Sequence, residues 1–320
     1  MIWPIAAGLM AGAFWALTFI APGLVAPFGP IDLTVARYAV FGLSSGVVLI
    51  FLGRDQWLPT LWRHWLVILG LALTGNTIYY LCLSEALLRS GTLLPTMIIG
   101  TLPVVMALLG GVRNGTFSLR RFVLPAWLIL GGILSHILPA TWAEASEPVV
   151  ATSPAGLVLA LVALASWAFY GVRNAEFLAH EKQTNIVAWT ALTGIATLVT
   201  LVPVAALLPG GQLSLWHGSI GGAGPLLLWG TALGLLSSWA ATWLWNIASR
   251  SLPAEVLGYL IVSETVFAIL YAFVLEQRLP TTAEIVSVVL LIGGVSLGIR
   301  AASNASRLSA RGSGPAARAP

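Results

Sequence analysis

Ten long stretches of this chain are apolar and almost free of charged residues. Each is close to the ~20 residues that a helix needs to cross the hydrocarbon core of a bilayer. They cover residues 2–21, 33–52, 65–88, 91–112, 122–138, 154–172, 186–208, 225–248, 256–275 and 281–299. Only short loops separate them. The pattern predicts an all-α integral membrane protein with ten transmembrane helices.

Composition excludes several classes of protein. The chain is 58% hydrophobic and 8% charged, whereas a soluble domain carries roughly 25% charged residues. The net charge of +4 does not indicate a nucleic-acid partner, because the basic residues are scattered over loop ends and the tail and form no basic face. The lone Cys82 allows neither an internal disulfide nor a thiolate metal site. We therefore expect no cofactor and no metal.

The basic residues of the loops indicate the orientation in the membrane. Twelve of the fifteen Lys and Arg residues follow even-numbered predicted helices, two follow odd-numbered ones, and Arg37 lies within helix 2. Because loops rich in Lys and Arg stay in the cytoplasm, both termini are predicted to be cytoplasmic. Two termini on the same side of the membrane require an even number of crossings, and the ten predicted helices meet this requirement.

The chain divides into two similar halves. Residues 86–139 can be laid over residues 248–301 at an offset of 162, which aligns Gly131-Gly132 with Gly293-Gly294. We predict a first repeat at 1–138, an extracytoplasmic loop at 139–153, a second repeat at 154–300 and a disordered cytoplasmic tail at 301–320. Five helices is an odd number, so the two repeats must enter the membrane in opposite directions. Such inverted repeats are typical of transporters.

Several short motifs resemble a known family. They are Ala36-Arg37-Tyr38, Val262-Ser263-Glu264-Thr265-Val266-Phe267, Leu275-Glu276-Gln277-Arg278-Leu279 and Gly293-Gly294-Val295. The chain resembles the drug/metabolite transporter superfamily in its EamA-type ten-helix branch. In the first half the turn at 113–116 lacks the acidic residue, and Thr265 stands where the family often has proline. The resemblance implies a transporter of a small metabolite, with the amino-acid exporters as the nearest branch.

Glu264 is the costliest residue to place in a membrane. It lies near the middle of predicted helix 9, where a carboxylate costs about 2.5–3.5 kcal/mol on insertion scales. It must therefore face a partner or a wet cavity. We interpret it as a site for a substrate amine or a proton. The alternative is a protonated packing residue, and helical spacing places Phe267, Ala268 and Tyr271 on its face.

Aromatic and amide side chains follow helical spacing in helices 3 and 8, and two tryptophans occupy matching places in helices 1 and 6. An aromatic wall with a few amides suits an amphipathic organic solute. The alternative is ordinary packing and an interfacial aromatic belt. The candidate cavity residues, besides Glu264, are Trp15, Tyr38, Asn76, Tyr79, Tyr80, Trp167, Trp239, Trp243, Asn246 and Tyr271.

Other features are predicted to shape the site. Arg37, near the extracytoplasmic end of helix 2, either snorkels to the headgroups or lies at the cavity mouth. Pro95 and Pro103 should bend helix 4 and serve as a hinge. Small residues four apart allow close helix packing. These pairs are Gly8 and Gly12, Gly42 and Gly46, Gly230 and Gly234, and Gly294 and Gly298.

We therefore interpret the chain as a multi-pass inner-membrane carrier and not an enzyme. It would export a small amphipathic metabolite, an amino acid above all, by rocking its halves about a central cavity. The expected partners are this solute and the lipid bilayer, proton coupling stays open, and the chain would act as a monomer or a weak homodimer. The alternative is an intramembrane enzyme acting on lipid-linked substrates. It would need clustered acids or a His–acid pair at one membrane face, and the sequence indicates none. The G-x-S-x-G match at 42–46 lies in an apolar helix and not in the strand–turn–helix setting of a nucleophile elbow.

The predicted topology can be tested with reporter fusions. A reporter at the C-terminal tail or at Arg120 should report cytoplasm, and a reporter at Glu147 should report the opposite side, because the basic loops stay inside. Alkaline phosphatase and green fluorescent protein fusions measure this directly. A cytoplasmic Glu147 would contradict the inverted repeat.

Overall fold

The computed structural model describes residues 2–113, 119–142, 153–181, 183–207, 222–252 and 254–312. All regular structure in these ranges is helical, which agrees with the predicted all-α class. Three predictions fall largely outside these ranges. They concern the turn at 113–116, the linker at 139–153 and the end of the C-terminal tail.

Thirteen α-helices lie in the described part of the chain. In chain order they are α1 (Ile2–Ile20), α2 (Pro30–Leu52), α3 (Leu58–Ala72), α4 (Tyr79–Ser90), α5 (Leu93–Gly100), α6 (Leu102–Arg113), α7 (Leu119–Trp142), α8 (Pro154–His180), α9 (Ile186–Leu207), α10 (Gly224–Ala232), α11 (Ala241–Ser251), α12 (Ala254–Glu276) and α13 (Thr282–Gly312). Short 3-10 helices at Ala21–Leu24 and Arg54–Gln56 follow α1 and α2.

Within the described residues, seven helical segments are long and apolar enough to cross a membrane by length and composition. They are Ile2–Leu24, Pro30–Leu52, Leu58–Ser90, Pro154–Leu178, Ile186–Pro203, Gly224–Ala248 and Thr282–Ala301. Two shorter apolar helices span Leu93–Met106 and Val123–Ser135. The fold is thus that of a helical membrane protein. The count of ten crossings, the inverted orientation and the side of the termini stay predictions.

Two of the long segments contain a π-helical stretch in the middle. Leu73–Ile78 joins α3 to α4, and Leu233–Ala240 joins α10 to α11. The offset of 162 that aligns the two halves carries residues 73–78 onto 235–240, inside the second stretch. A π-helical turn interrupts the normal bonding ladder and frees backbone groups for other partners. In the first stretch, the Asn76 carbonyl accepts from the backbone N–H of Tyr79 and also from the Tyr38 hydroxyl, the latter at 3.0 Å.

The fourth predicted helix is broken at Thr101. This residue separates α5 from α6, and its hydroxyl donates to the Ile98 carbonyl at 2.7 Å. Pro103 is the second residue of α6, where its missing N–H costs little, and Pro95 lies in the first turn of α5. The prolines thus begin two short helices instead of bending one long helix. Their role as a hinge stays a prediction.

The loop between α12 and α13 is closed by polar contacts. Arg278 donates to both carboxylate oxygens of Glu284 at 2.8 and 2.7 Å, and to Glu276 at 2.6 Å. Its hydrogen bonds, to Glu284 above all, raise the pKa of the Arg278 guanidinium. Glu284 also accepts from the backbone N–H of Thr281, and the Thr281 hydroxyl accepts from the N–H of Glu284, which is a capping box.

The last helix is longer than predicted. The disordered tail was expected from Ala301, but α13 continues to Gly312. Residues 301–311 contain Ala, Ser, Asn, Leu and Arg without glycine or proline, so nothing in them interrupts a helix that is already formed. The last helix thus extends beyond the predicted end of the second repeat, and the disorder of the tail stays a prediction.

The two halves of the chain are interleaved. Helix α1 packs against α12, α2 against α9, α4 against α8, and α7 against α13, so each of these pairs crosses from one half to the other. The π stretch of each half contacts helices of the opposite half: the first meets α8 and α9, and the second meets α1 and α2. The halves therefore share one core. Rocking of residues 1–138 as a rigid block against residues 154–300 would separate these pairs.

Glycines permit the close crossings, as the sequence predicts. A Cβ atom on Gly234 would lie 2.7 Å from the Arg37 carbonyl oxygen, and one on Gly12 would lie 3.2 Å from the Glu264 backbone nitrogen. All four predicted glycine pairs contact a neighbouring helix, so their role in close packing is confirmed. By contrast, a Cβ on Gly293 would meet no described atom within 4 Å.

This difference gives a matched pair of glycine variants. We expect Gly234→Ala to destabilise the protein by about 1–3 kcal/mol, because the added methyl group is forced against the backbone of α2. Gly293→Ala should be neutral or stabilising by up to ~1 kcal/mol, because alanine favours a helix. The apparent Tm of each purified variant in detergent measures this. Equal melting temperatures for the two variants would contradict the close crossing.

Candidate functional site

A positively charged side chain lies buried among the helices. Arg37 is only 4% exposed, and its Nε donates to Ser238 Oγ in the second π stretch at 2.9 Å. Its guanidinium carbon lies 4.2 Å from the ring centre of Tyr80 and 5.0 Å from that of Tyr38. Such contacts stabilise a desolvated cation. Snorkelling to the headgroups, one prediction for Arg37, is therefore wrong, because α2 turns the side chain inward.

Glycines hold the backbone of this arginine in place. A Cβ atom on Gly230 would lie 2.6 Å from Ala36 Cβ, and Gly234 approaches the Arg37 carbonyl. The segment Gly224–Ala248 can therefore approach α2 closely enough for Ser238 to reach the guanidinium. The Nη1 atom of Arg37 is fully enclosed and has no hydrogen-bond partner among the described residues.

An aromatic cluster joins the two halves beside this arginine. Trp15 of α1 meets Trp167 of α8 edge to face at 5.8 Å between ring centres. Trp167 stacks on Tyr79 of α4 at 5.7 Å, and Trp15 also meets Trp245 at 5.6 Å. We call Trp15, Tyr79, Trp167 and Trp245 the aromatic cluster. Tyr79 belongs to the same buried core as Tyr38 and Tyr80, the two rings that contact Arg37.

Glu264 is buried on α12, with 4% of its surface exposed. Gly12 lets α1 approach the backbone of Glu264, which places this residue on the face of α12 near the cluster. In the described part of the chain its carboxyl group makes no hydrogen bond and no ion pair. One turn on, the rings of Phe267 and Tyr271 lie 6.1 Å apart. The predicted polar face of helix 9 is thus inside the protein.

Both π stretches bond to the second helix of the opposite half. Asn76 donates from Nδ2 to Thr197 Oγ1 of α9 at 2.9 Å. In the other half, Ser238 accepts from Arg37 of α2, and Trp239 donates from Nε1 to Ser45 Oγ at 3.2 Å. These bonds connect helices that are distant in sequence. The polar groups of Asn76 and Trp239 are therefore engaged in contacts between helices.

The structure does not bring all predicted site residues together. Tyr271 donates from its hydroxyl to the Ala13 carbonyl at 3.4 Å, and Asn246 donates to Thr190 Oγ1 at 3.4 Å. Trp243 is 41% exposed and makes none of the ring contacts of the aromatic cluster. Trp245 takes the place beside Trp15, because residues two apart lie on nearly opposite faces of a helix. The prediction of a cavity role is weakest for Trp243.

Sequence reasoning missed two polar residues of this region. Ser238 aligns with Asn76 at the offset of 162, and this alignment could have identified it. Asp32 lies one residue before the predicted start of helix 2, but α2 begins at Pro30 and buries it to 1% exposure. Its Oδ2 accepts from the Gly29 N–H at 3.0 Å, while Oδ1 has no partner among the described residues.

A His–acid pair lies elsewhere, between α3 and the residue that follows α8. His64 Nε2 is 3.6 Å from Glu181 Oε1, and the imidazole meets the ring of Phe177 at 4.8 Å. No such pair is expected from the sequence, because the two residues are far apart in the chain, and the structure corrects this expectation. The side chain of Glu181 is 39% exposed, and no nucleophile accompanies the pair among the contacts of the described residues.

The arrangement is suited to binding a solute. It offers one cation, one acid and several aromatic faces from helices of both halves. In the described ranges no three His, Cys, Asp or Glu side chains come together as metal ligands. An amphipathic molecule could place its apolar part on the aromatic cluster and its charged groups near Arg37 and Glu264.

The chain is similar to known membrane proteins. A family model described as the EamA-like transporter family matches residues 154–299. The inner membrane protein YtfF of Escherichia coli (strain K12) is 34% identical over 311 residues, which cover 92% of this chain and 94% of that protein. A solved crystal structure superposes with a TM-score of 0.63 at 18% identity, over 95% of this chain and 98% of that one. This last likeness shows a shared fold.

The contact between the two tryptophans can be measured by a double-mutant cycle. We expect Trp15→Leu and Trp167→Leu to be coupled by about 0.5–1.5 kcal/mol in unfolding free energy, because edge-to-face rings attract beyond their buried area. Unfolding in detergent supplies the four free energies. The control cycle of Trp15→Leu with Trp243→Leu should show additivity within about 0.5 kcal/mol, since these rings make no contact. Additivity in both cycles would show that the cluster does not form.

Proposed function

Because the chain belongs to the EamA-like transporter family and is a multi-pass protein of the inner membrane, we propose that it is a secondary transporter of a small amphipathic metabolite. The cargo we favour is an amino acid with an aromatic or hydrophobic side chain, moved outward. The solute would bind where Arg37, Glu264 and the aromatic cluster meet. No P-loop sequence for ATP occurs in the chain, which favours secondary or facilitated transport.

The proposed architecture is ten crossings in two inverted repeats. The seven long segments, the two shorter apolar helices and the 23-residue α12 supply ten candidates. The two π stretches at an offset of 162 and their reciprocal contacts with the opposite half support the repeat. With the basic loops inside, both termini would lie in the cytoplasm.

One observation carries the proposal more than any other. Arg37 and Glu264 are both 4% exposed and lie on helices of different halves, yet no ion pair between them is found in the described structure. Buried charges are costly unless they are met by a partner. A solute with charged groups and an apolar part could pair with Arg37 and Glu264 and pack on the aromatic cluster at the same time. This is the behaviour expected of a transport site.

During alternating access, the helices that move together would come from both repeats. Since α1 packs on α12 and α2 on α9, a moving unit must contain helices of both repeats. The break at Thr101, between two short helices that begin near Pro95 and Pro103, is our candidate hinge. The intramembrane-enzyme alternative would have to rely on His64 and Glu181, which lie outside the candidate site.

Glu264→Gln tests the proposed site. The change keeps the size and hydrogen-bonding capacity of the side chain but removes its ability to ionise. If Glu264 meets an amine or carries a proton, transport should fall about tenfold or more, since a charged hydrogen bond contributes roughly 1.5–3 kcal/mol. Counterflow of amino acids in proteoliposomes between about pH 5 and 8 measures this, including any loss of pH dependence.

The matched control is Glu85→Gln. Glu85 forms an exposed i, i+4 ion pair with Arg89 at the surface, so the same substitution there should leave transport unchanged. Wild-type transport by Glu264→Gln across the pH range would remove Glu264 from the site. Absence of counterflow by the wild-type protein with every metabolite class would instead refute the transporter proposal itself.

A further inference from the structure

Two enclosed hydrogen-bond donors lie side by side without an acceptor. The Nη1 atom of Arg37 and the hydroxyl of Tyr80 are both fully buried, and neither has a partner among the described residues. The guanidinium carbon lies 4.2 Å from the centre of the Tyr80 ring. A buried donor without an acceptor is unfavourable, and a buried unpaired charge is more so. An anionic hydrogen-bond acceptor would satisfy both of these donors.

The rest of the guanidinium is already held in place. Nε donates to Ser238 Oγ, and the rings of Tyr38 and Tyr80 lie against the charged group. The Tyr38 hydroxyl is engaged too, because it donates to the Asn76 carbonyl at 3.0 Å. Nη1 and the Tyr80 hydroxyl have no hydrogen-bond partner in the described protein. The orientation of the Arg37 guanidinium is thus set before a ligand binds, which lowers the conformational entropy lost on binding.

No carboxylate of the described chain serves as the partner of this cation. None comes within ion-pair distance of Arg37 in the ranges that the structure covers. Asp32 lies earlier on the same helix and accepts a hydrogen bond from Gly29 at the start of α2. Glu264, the buried acid of α12, makes no ion pair with Arg37 in the described ranges. The missing acceptor must therefore come from another molecule or from a rearrangement of the protein.

We propose that Arg37 and Tyr80 form a clasp for the carboxylate of the transported solute, with Arg37 Nη1 and the Tyr80 hydroxyl donating to its oxygens. This inference rests on the proposed transport function and names the charged group that the solute must carry. A single cation with two open donors matches the one charge and two oxygens of a carboxylate. A phosphate carries more charge and more acceptor oxygens than these donors can satisfy.

Glu264 is the buried acid of the candidate site. In the proposed complex it would meet the ammonium group of the solute, while the solute side chain would pack on the aromatic cluster. The site would thus recognise an α-amino acid by both ends. Amides and amines that lack the carboxylate would leave Arg37 unpaired, and a site with an unpaired buried group discriminates strongly against such analogues.

The experiment compares each acid with its own amide. Wild-type protein in proteoliposomes is tested with L-phenylalanine, L-leucine and L-threonine, their carboxamides, and phenethylamine. We expect at least one acid to bind and exchange with a Kd about tenfold or more below that of its amide, since a charged pair to a buried arginine is replaced by a neutral contact. Arg37→Gln should abolish this preference by weakening binding of the acid alone.

Two further variants separate recognition from folding. Tyr80→Phe removes a hydroxyl that has no partner in the described protein, so folding should be preserved while the preference for the acid falls several-fold. Arg173→Gln is the matched control, because Arg173 is an exposed arginine paired with Glu176, and it should leave the preference unchanged. Size-exclusion profiles confirm that each variant is folded.

The outcomes distinguish this inference from the transport function. Equal transport of acids and amides by the wild-type protein would overturn the carboxylate clasp and leave the transporter intact. An unchanged preference in Tyr80→Phe would also overturn it, even if Arg37→Gln fails to fold. Stronger competition by inorganic phosphate than by acetate would assign the site to phosphate and refute the clasp. Absence of binding by all three acids, amides and the amine would refute the clasp and count against transport of amphipathic metabolites.

Discussion

The positive charge of Arg37 is the feature on which the centre of this protein depends. An unpaired cation in a low-dielectric interior is costly, so its surroundings must stabilise it. Here the rings of Tyr38 and Tyr80 and the hydroxyl of Ser238 do so. They come from three separate helical segments, which must therefore meet at one point. The close approach of Gly234 to α2 makes this possible, because any side chain there would push the segments apart.

The same demand for close contact explains why the two halves are interleaved. In a bilayer, water does not drive helices together, so their association depends on tight packing and on polar bonds between them. Both π stretches supply such bonds, through Asn76 to Thr197 in one direction and through Ser238 to Arg37 in the other. Each half thereby supplies hydrogen-bond partners for polar side chains of the other half. Conformational change in such a structure has to exchange one set of packed helix pairs for another instead of separating two rigid bundles.

Separated charges give the centre its chemical character. Glu264 and Arg37 are both buried and form no ion pair in the described structure, so each keeps the capacity to meet a group of opposite charge. Between the halves, the aromatic cluster offers apolar faces from Trp15, Tyr79 and Trp167. Charge at two places and apolar surface between them complement a small zwitterion with a hydrophobic side chain. Had the two groups formed a direct ion pair, a solute would have to break that pair before it could bind.

The sequence by itself determined the helical membrane class and the family, because these depend on local hydropathy and short motifs. It also predicted the close packing at the glycine pairs. It singled out Glu264 from the cost of one charge in a bilayer, and the role of this residue stays a prediction. The inward direction of Arg37, the contact of Trp245 instead of Trp243 with Trp15, and the pairing of His64 with Glu181 were decided only by the tertiary structure. Each depends on which helix lies opposite, and periodicity along one helix contains no information about its neighbours.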